Sequence, residues 1–491
     1  MRRFLPLLLV ALTAAGATVA SVTLSARWWL AAGPLLALTG LGGRDLLQRR
    51  RSLPRNYPLL AHLRYPTTRS ARSSDARAEE GEERDEFLVP SLRPVEPAEE
   101  PPVVRVGGPD CRLPYDMALL NVSAMSFGAL SPQAVLALNR GAALGRFAQD
   151  TGEGGLSEYH LRGGGDLVWE IGSGYFGCRG PDGGFDAREF ADKAALPEVK
   201  CVSLKLSQGA APGSGGVLPG VKVSAEVARE RRVPEGVTVV SPPGHREFST
   251  PRELVLFLAR LREAAGGKPT GLKLCVGSRR EFLALCRAMA AEGVTPDFVI
   301  VDGSEGGTGS GPTQVAGRLG MPLTQGLITV HNALVGVGLR DRVRIGASGR
   351  VATGADIVRR LAQGADYTNA ARAMMLALGC VRARRCHTGA CPVGVATQDP
   401  LRARALNVAD KARRVRHYQR ETVRDAVRIM AAMGVREPGE LTPAHLLRRS
   451  GPGVLRSYAE LYEWLAPGEL LAGPPQSWAA DWKAASPDGF G

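Results

Sequence analysis

The chain is poor in aromatic residues: Phe, Trp and Tyr make up only 5% of its 491 residues. No basic patch interleaved with aromatics is visible, so the formal charge of +14 does not indicate a nucleic-acid partner. Part of that charge lies in residues 1–60, which hold eight arginines and a single acid, Asp45. These arginines flank apolar stretches, as basic residues do on the cytoplasmic side of a membrane.

The sequence also lacks the dense cysteine pattern of a small disulfide-stabilised domain. Eight cysteines in a chain of this length favour a reducing compartment. Five of them are scattered along the sequence, and each of these is interpreted as a buried free thiol. No long-period repeat is present. No Gly-x-Gly-x-x-Gly motif follows the first strand pattern, which disfavours a doubly wound dinucleotide-binding sheet.

Two apolar runs stand at the start of the chain. Phe4 to Leu24 is about long enough to cross a bilayer, and a second, shorter run extends from Trp28 to Gly43. Arginines at both ends predict that residues 1–47 form a membrane anchor of two apolar helices with both ends cytoplasmic. The alternatives are a cleaved signal peptide and a second run that lies in the membrane interface.

The remaining chain divides into three parts. Residues 48–108 are basic, then acidic and rich in proline, and predict a tether. In residues 109–400 short apolar strand patterns alternate with amphipathic helix patterns, which predicts a parallel sheet buried on both faces. Its length favours an α/β fold of the (β/α)8 barrel type. Residues 401–491 predict a helical C-terminal extension. The clearest strand patterns are 117–123, 199–207, 271–277, 297–303, 342–348 and 365–371.

Three cysteines are grouped in one short segment, as Cys380-x5-Cys386-x4-Cys391-Pro392. Three thiols on one loop, the last followed by proline, suit a polynuclear iron–sulfur cluster. Zinc needs a fourth ligand, and His387 abuts Cys386 too closely to point at the same ion. Without a fourth cysteine the set fits a three-iron cluster. The alternative is a group of buried, unligated thiols.

Glycine-rich loops follow several predicted strands. In a (β/α)8 barrel the loops after strands seven and eight commonly hold a phosphate, and Ser348, Gly349 and Arg372 fall there. Lys205 and Lys273 lie inside apolar strand patterns, where a lysine is unfavourable unless it meets a partner in a site. A structural salt bridge is the alternative for each lysine. Glu153 is set among glycines in a loop.

At these residues the sequence resembles the FMN-binding synthase domain of glutamate synthases, in particular the stand-alone, membrane-anchored branch. The resemblance extends from about residue 121 to residue 400 and is carried by the blocks SAMSFGALS, DTGEGG, SPPGHREFSTPREL, DGSEGGTG and CHTGACPVGVATQDP. It implies a barrel that binds FMN and a [3Fe-4S] cluster held by Cys380, Cys386 and Cys391. It implies catalytic roles for Glu153, Lys205 and Lys273. The FMN-binding residues that it implies are Ala124, Met125, Ser126, Gln208, Gly306, Gly307, Ser348, Gly349 and Arg372.

The resemblance further implies an activity: reduction of 2-iminoglutarate, formed from 2-oxoglutarate and ammonia, to L-glutamate. Electrons would come from ferredoxin or a reductase. Because the N-terminus runs into an apolar segment, no glutaminase domain is expected, and ammonia would be free or supplied by a separate amidotransferase. Ala211 stands where the family has a lysine facing the keto acid. This difference keeps open another 2-oxo acid or amine as substrate; a membrane-tethered redox scaffold is the non-enzymatic alternative.

Overall fold

A computed structural model describes residues 2–64, 85–209, 215–306, 318–451 and 453–491 of the chain. Gly307 and Ala211 lie outside the described residues. The strands in chain order are β1 Glu86–Leu88, β2 Val103–Val106, β3 Tyr115–Ala118, β4 Leu120–Val122, β5 Gln149–Asp150, β6 Leu167–Ile171, β7 Val199–Lys205, β8 Val217–Leu218, β9 Val239–Val240, β10 Thr270–Leu274, β11 Phe298–Asp302, β12 Arg344–Ser348, β13 Tyr367–Ala370, β14 Leu446–Gly451 and β15 Val454–Ser457.

The α-helices begin where the sequence supplies N-terminal caps. Ser131 and Thr250 each accept a hydrogen bond from the first turn of a helix that has proline at its start, as their sequence patterns predict. The helices are α1 Leu5–Thr23, α2 Trp29–Leu47, α3 Ser52–Asn56, α4 Leu60–Arg64, α5 Pro132–Gly145, α6 Glu158–Leu161, α7 Ala187–Ala194, α8 Ala225–Arg231, α9 Pro251–Ala264, α10 Arg279–Glu292, α11 Leu323–Gly336, α12 Gly354–Ala362, α13 Arg372–Leu378, α14 Pro400–Ala403, α15 Val408–Ala432, α16 Tyr458–Leu461, α17 Glu469–Ala472 and α18 Gln476–Ala484.

Eight strands close into a parallel barrel in the order β10-β11-β12-β13-β4-β5-β6-β7. The predicted (β/α)8 barrel is therefore confirmed, and the alternative hypothesis of a doubly wound sheet is wrong. Neighbouring strands pair in register, so that Lys205 of β7 stands opposite Lys273 of β10. The shared register directs both lysines to the same face of the sheet.

The barrel has two buried layers. Apolar side chains on the outer faces of the strands pack against the surrounding helices, as Leu204, Leu272 and Val299 do. Inside, a smaller cluster fills the barrel towards the N-terminal ends of the strands and includes Val106 and Met117 of the antiparallel pair β2–β3. The interior is closed at that end, so a ligand site lies at the carboxyl ends of the strands.

The predicted C-terminal extension is present and is only partly helical. The long helix α15 packs along α5 and α12, and shorter helices follow. Residues 446–457 instead form the antiparallel pair β14–β15, to which β1 adds a third strand. A Gly-Pro-Gly sequence between two short apolar segments is the local signal for this hairpin.

At the N-terminus α1 and α2 pack against each other as a hairpin, with Leu7 in contact distance of Gly42. Among the described residues α1 is the one helix long and apolar enough to cross a membrane, with a mean hydropathy of 2.0. A signal sequence or a core helix meets the same criterion. α2 has Pro34 in its interior and two charged residues, Arg44 and Asp45, near its end.

The segment 48–108, expected as a tether, includes parts that pack on the barrel domain. Asn56 of α3 is buried, and Arg55 donates to the carbonyl oxygen of Arg404. After the undescribed stretch, β1 joins the C-terminal hairpin and β2 begins the pair that closes the barrel. Val106 of β2 reaches the apolar cluster inside the barrel, so this part of the segment belongs to the folded domain.

Candidate active site

A cavity of about 810 Å³ opens at the carboxyl ends of the barrel strands. Its wall is formed by loops that follow the strands from β4 round to β13. These loops bring together residues that are far apart in the sequence. The predicted site residues on its wall are Ala124, Met125, Ser126, Glu153, Gln208, Lys273, Gly306, Ser348, Gly349, Arg372 and Cys386.

Lys273 forms the centre of a buried charge cluster. Its Nζ lies 3.0 Å from Oε2 of Glu170, and the two side chains are only 4% and 2% exposed. Burial alone would lower the pKa of Lys273, but the carboxylates of Glu170, Asp302 and Asp150 outweigh it and raise that pKa. A fixed positive charge is therefore held on the cavity wall.

Asp150 has the opposite character. Burial, and then repulsion from Glu170, raises the pKa of its carboxyl group well above the ordinary value. Its Oδ1 accepts a hydrogen bond from the backbone N–H of Gly152 at 2.9 Å, which fixes the start of the glycine loop that carries Glu153. The cluster thus holds Asp150, a carboxyl group that favours its protonated form, beside one lysine.

The second predicted lysine pairs with the predicted acid. Nζ of Lys205 lies 2.9 Å from Oε2 of Glu153, although Lys205 itself stands behind the cavity wall. Burial would raise the pKa of Glu153, but Lys205, Arg231 and Lys273 lower it, so the group is held as a carboxylate. A Cβ on Gly172 or Gly216 would collide with this carboxylate, which explains why both positions lack a side chain.

Arg231 is a cavity residue that the sequence did not reveal. Its Nη2 donates to the carbonyl oxygen of Phe127 at 3.0 Å and to Oγ of Ser126 at 3.3 Å, and its guanidinium group lies 5.0 Å from the Phe176 ring centroid. Burial lowers its pKa to about 10. Its Nε has no hydrogen-bond partner within the described residues, and a buried unpaired donor on a cavity wall suits an anionic ligand.

The cysteine loop lies beside the cavity. Cys386 is on the cavity wall, and burial raises the pKa of Cys380 to about 11, with further increases from Cys391 and Cys386. No group of three His, Cys, Asp or Glu side chains in the described ranges is gathered tightly enough for a single metal ion. A polynuclear cluster separates its thiolates more widely than a single ion does.

Several polar contacts connect this loop to the cavity. Lys222 is buried, and its Nζ donates to the carbonyl oxygens of Ala129 and Cys386 at 2.5 and 3.0 Å. Gln398 donates to the carbonyl oxygens of Gly128 and Leu130 at 3.0 and 2.7 Å. The loop after β4 and the cysteine loop are therefore one packed unit.

The model of the conserved region in glutamate synthase matches residues 110–436, about two thirds of the chain. The chain belongs to the glutamate synthase family. It is 42% identical over 350 residues to the glutamate synthase large subunit-like protein YerD of Bacillus subtilis (strain 168), covering 71% of this chain and 66% of that protein. It is 32% identical over 314 residues to an archaeal glutamate synthase [NADPH] of Archaeoglobus fulgidus, covering 64% of this chain. The chain spans 58% of the length of that second relative.

The residues of this glutamate synthase family member fit a flavin nucleotide. The cavity lies within the size range of cofactor sites in proteins. Ser348 ends the seventh barrel strand, Gly349 follows it and Arg372 follows the eighth strand, where (β/α)8 barrels bind phosphate. Gly349 has a φ of +149°, a backbone conformation that residues with a side chain disfavour. The backbone N–H of Gly349 is one of the donors that this loop offers to a phosphate.

The cysteine loop fits an iron–sulfur cluster by its donor set. Thiolates are the ligands that iron–sulfur clusters take, and Cys380, Cys386 and Cys391 come from one loop. The buried ammonium group of Lys222 stands beside this loop, where it would offset the negative charge of three thiolates. Burial lowers the pKa of Lys222 to about 8, and Cys386 and Cys391 act against that lowering.

Proposed function

We propose that the chain is a glutamate synthase-type oxidoreductase that reduces 2-iminoglutarate, from 2-oxoglutarate and ammonia, to L-glutamate. It would use FMN and a [3Fe-4S] cluster, with ferredoxin or a reductase as the electron donor. Ammonia would be free or come from a separate amidotransferase. The observation that carries the proposal is the convergence of Glu153, Lys273 and Arg231 on one cavity in a chain of this family.

Each site residue has a role in this proposal. Ala124, Met125, Ser126, Gln208, Gly306, Gly307, Ser348, Gly349 and Arg372 would surround FMN, and Cys380, Cys386 and Cys391 would hold the cluster. When bound, these groups supply hydride and single-electron transfer, respectively.

The protein's own groups prepare the substrate. The carboxylate of Glu153 suits the positive charge of an iminium group, and the ammonium group of Lys205 at 2.9 Å keeps a proton beside it. The positive charge of Lys273 would stabilise a reduced, anionic flavin. Arg231 would bind a substrate carboxylate, since its buried Nε lacks a partner among the described residues. Such a contact would replace the positive charge that is missing at Ala211, where the family has a lysine.

The proposal extends to domain organisation and location. Residues 1–47 would anchor the chain in the membrane, 48–108 would link the anchor to the barrel of 109–400, and 401–491 would complete the enzyme. The barrel would face the cytoplasm. The apolar length of α1 and its packing with α2 support this arrangement.

The test begins with full-length, detergent-purified protein kept anaerobic. FMN and about three irons per chain are expected, and the reduced enzyme should form glutamate from 2-oxoglutarate and ammonia. Glu153→Gln should abolish turnover while flavin and iron remain bound. Glu158→Gln is the matched control, because Glu158 is an exposed glutamate paired only loosely with Arg162, at 3.9 Å.

The substitution at Ala211 favours a second candidate, in which another 2-oxo acid or amine replaces 2-oxoglutarate. A panel of acceptors that reoxidise the flavin separates the two. Loaded enzyme that turns over a different acceptor would support the second candidate. Loaded protein with no turnover on any acceptor would contradict both and leave a redox scaffold.

A further inference from the structure

The segment that follows the N-terminal hairpin is attached directly to the cysteine loop. Asn56, which is 1% exposed, donates from Nδ2 to the carbonyl oxygen of Pro392 at 3.0 Å and to that of Arg402 at 3.2 Å. Pro392 is the residue after Cys391. A buried amide that satisfies two carbonyl groups is a specific contact, so the chain leaving α2 is fixed against one end of the loop.

A second contact lies near the other end of the loop. Lys411, 2% exposed, donates from Nζ to the carbonyl oxygen of Arg50 at 3.0 Å. Gly379, the residue before Cys380, is also close to this ammonium group: a Cβ added to Gly379 would lie 3.6 Å from Nζ of Lys411. Both ends of the cysteine loop are therefore close to residues 50–56, the segment at the base of the hairpin.

This part of the surface is strongly basic. Residues 48–57 contain four arginines and no acid, and residues 379–416 contain nine lysines and arginines against two acids. Both acids are already engaged: Asp399 caps α14 and pairs with Arg402, and Asp410 pairs with Lys411. An uncompensated positive field remains there.

Four of the basic side chains define what we call the basal face: Arg51, Arg384, Arg385 and Arg404. All four are exposed, and none has an ion-pair partner within the described residues. Exposed arginines that lack carboxylate partners retain their capacity to bind phosphate groups bidentately.

We propose that the basal face lies on the membrane surface and binds anionic phospholipid head groups, which places the cysteine loop at the bilayer. The inference rests on the membrane anchoring put forward above. The α2 end of the hairpin meets the domain beside this face through residues 50–56. At the other end, Arg3 is near enough to Asp399 and Arg404 to interact with their charges. A hairpin inserted in the bilayer therefore brings the face to the head groups. An acidic protein would match the charge equally, but the apolar helices at its edge favour the bilayer.

The test uses full-length protein in nanodiscs of phosphatidylcholine alone or of phosphatidylcholine mixed with phosphatidylglycerol. Backbone hydrogen exchange is followed in residues 380–390 and 400–414. A basic side chain near an anionic surface strengthens binding about fivefold, so exchange in these residues should slow by about that factor or more on the anionic discs. Added salt should reverse the protection.

Two variants with the same charge change localise the effect. Arg51→Glu/Arg404→Glu, outside the cysteine loop, should abolish the lipid-dependent protection. Arg188→Glu/Arg280→Glu is the matched control, because these arginines belong to α7 and α10, across the barrel from β13. Iron content is measured in each variant, so that loss of the cluster is not mistaken for loss of lipid binding.

Equal exchange on neutral and anionic discs would overturn the inference, as would loss of protection in both variant pairs. Protection that appears only when an acidic electron carrier is added would assign the face to a protein instead. Each of these results is independent of glutamate formation. An enzyme that makes glutamate without lipid-dependent protection would refute only this inference, whereas protection without turnover would refute only the proposed function.

Discussion

At the scale of single residues, the buried pair Lys273–Glu170 is the most consequential. Lys273→Met would leave Glu170, which is 2% exposed, without its cation at 3.0 Å. We expect a loss of about 3–5 kcal/mol in the free energy of unfolding. Glu170→Gln/Lys273→Met should cost less than the sum of the single changes, since no uncompensated charge remains.

Denaturant unfolding of the detergent-solubilised protein measures these effects. Lys193→Met is the matched control, because Lys193 pairs with Glu189 on the helix surface at 3.3 Å and is 28% exposed. That change should cost less than about 1 kcal/mol. Equal costs for Lys193→Met and Lys273→Met would show that burial of the central pair does not matter for stability.

Glu230 gives a prediction about pH. Burial raises the pKa of this carboxyl group to about 7, and the ammonium group of Lys193 and the backbone N–H of Leu156 oppose that rise. Between the ordinary value of 4.5 and about 7 the unfolded chain loses this proton while the folded chain keeps it, so stability falls as pH rises through that window.

Glu230→Gln removes this penalty and keeps an acceptor for Leu156. The variant should be more stable than the parent at pH 8, by up to about 3 kcal/mol, and nearly equal to it at pH 4. Thermal unfolding at the two pH values measures the difference. A gain of the same size at both would mean that ionisation of Glu230 is not its cause.

The sequence revealed some of these residues and not others. Lys205 and Lys273 were recognisable because a lysine inside an apolar strand pattern needs a partner. Their partners differ in how visible they are. Glu153 stands out through the family's glycine loop, whereas Glu170 lies in β6, whose residues form no pattern distinct from their surroundings. Arg231 ends a helix rich in charged residues, and only the fold shows that it turns towards the cavity.

At the scale of elements, the contact between α3 and the cysteine loop makes a separate prediction. Asn56→Ala would leave the carbonyl oxygens of Pro392 and Arg402 without this donor. We expect a cost of about 1–3 kcal/mol and faster hydrogen exchange in residues 52–57 and 392–395. The barrel strands should be unaffected.

Arg55→Ala is the control for this change, since Arg55 is adjacent and its bond to the carbonyl oxygen of Arg404 is exposed. It should alter exchange little. If Asn56→Ala and Arg55→Ala behave alike, then the buried amide does not hold the segment against the loop.

Elements with strong local signals were predictable and weak ones were not. Six of the barrel strands appear as apolar runs in the sequence, and α5 and α9 were marked by their caps. β5 has only two residues, too few for any periodic pattern, and exists because its neighbours β4 and β6 pair with it. β1 likewise forms because β14 offers a free edge.

At the scale of the whole molecule, the barrel followed from the alternation of strands and helices, because parallel strands require helical crossovers. The position of the α1–α2 hairpin does not follow from any local pattern. It depends on two hydrogen bonds between residues several hundred positions apart in the chain. Asn56 donates to the carbonyl oxygen of Pro392, and Lys411 donates to that of Arg50. Long-range polar contacts of this kind leave no periodic signal in the sequence.

The α1–α2 hairpin yields a prediction on membrane topology. If α1 and α2 cross the membrane as a hairpin with both ends cytoplasmic, the turn at Ser25 faces the opposite side and Arg49 faces the cytoplasm. A membrane-impermeant maleimide added to intact cells should therefore label Ser25→Cys, and should label Arg49→Cys only after lysis.

The unaltered chain, whose own cysteines lie from residue 111 onwards, is the background control for this labelling experiment. A hairpin lying in the cytoplasmic interface would leave both positions unlabelled until lysis. A cleaved signal peptide would export the mature chain, so Arg49→Cys would be labelled in intact cells. Label at Ser25 from outside, together with retention of the chain in the membrane at alkaline pH, would establish the geometry on which the position of the basal face depends.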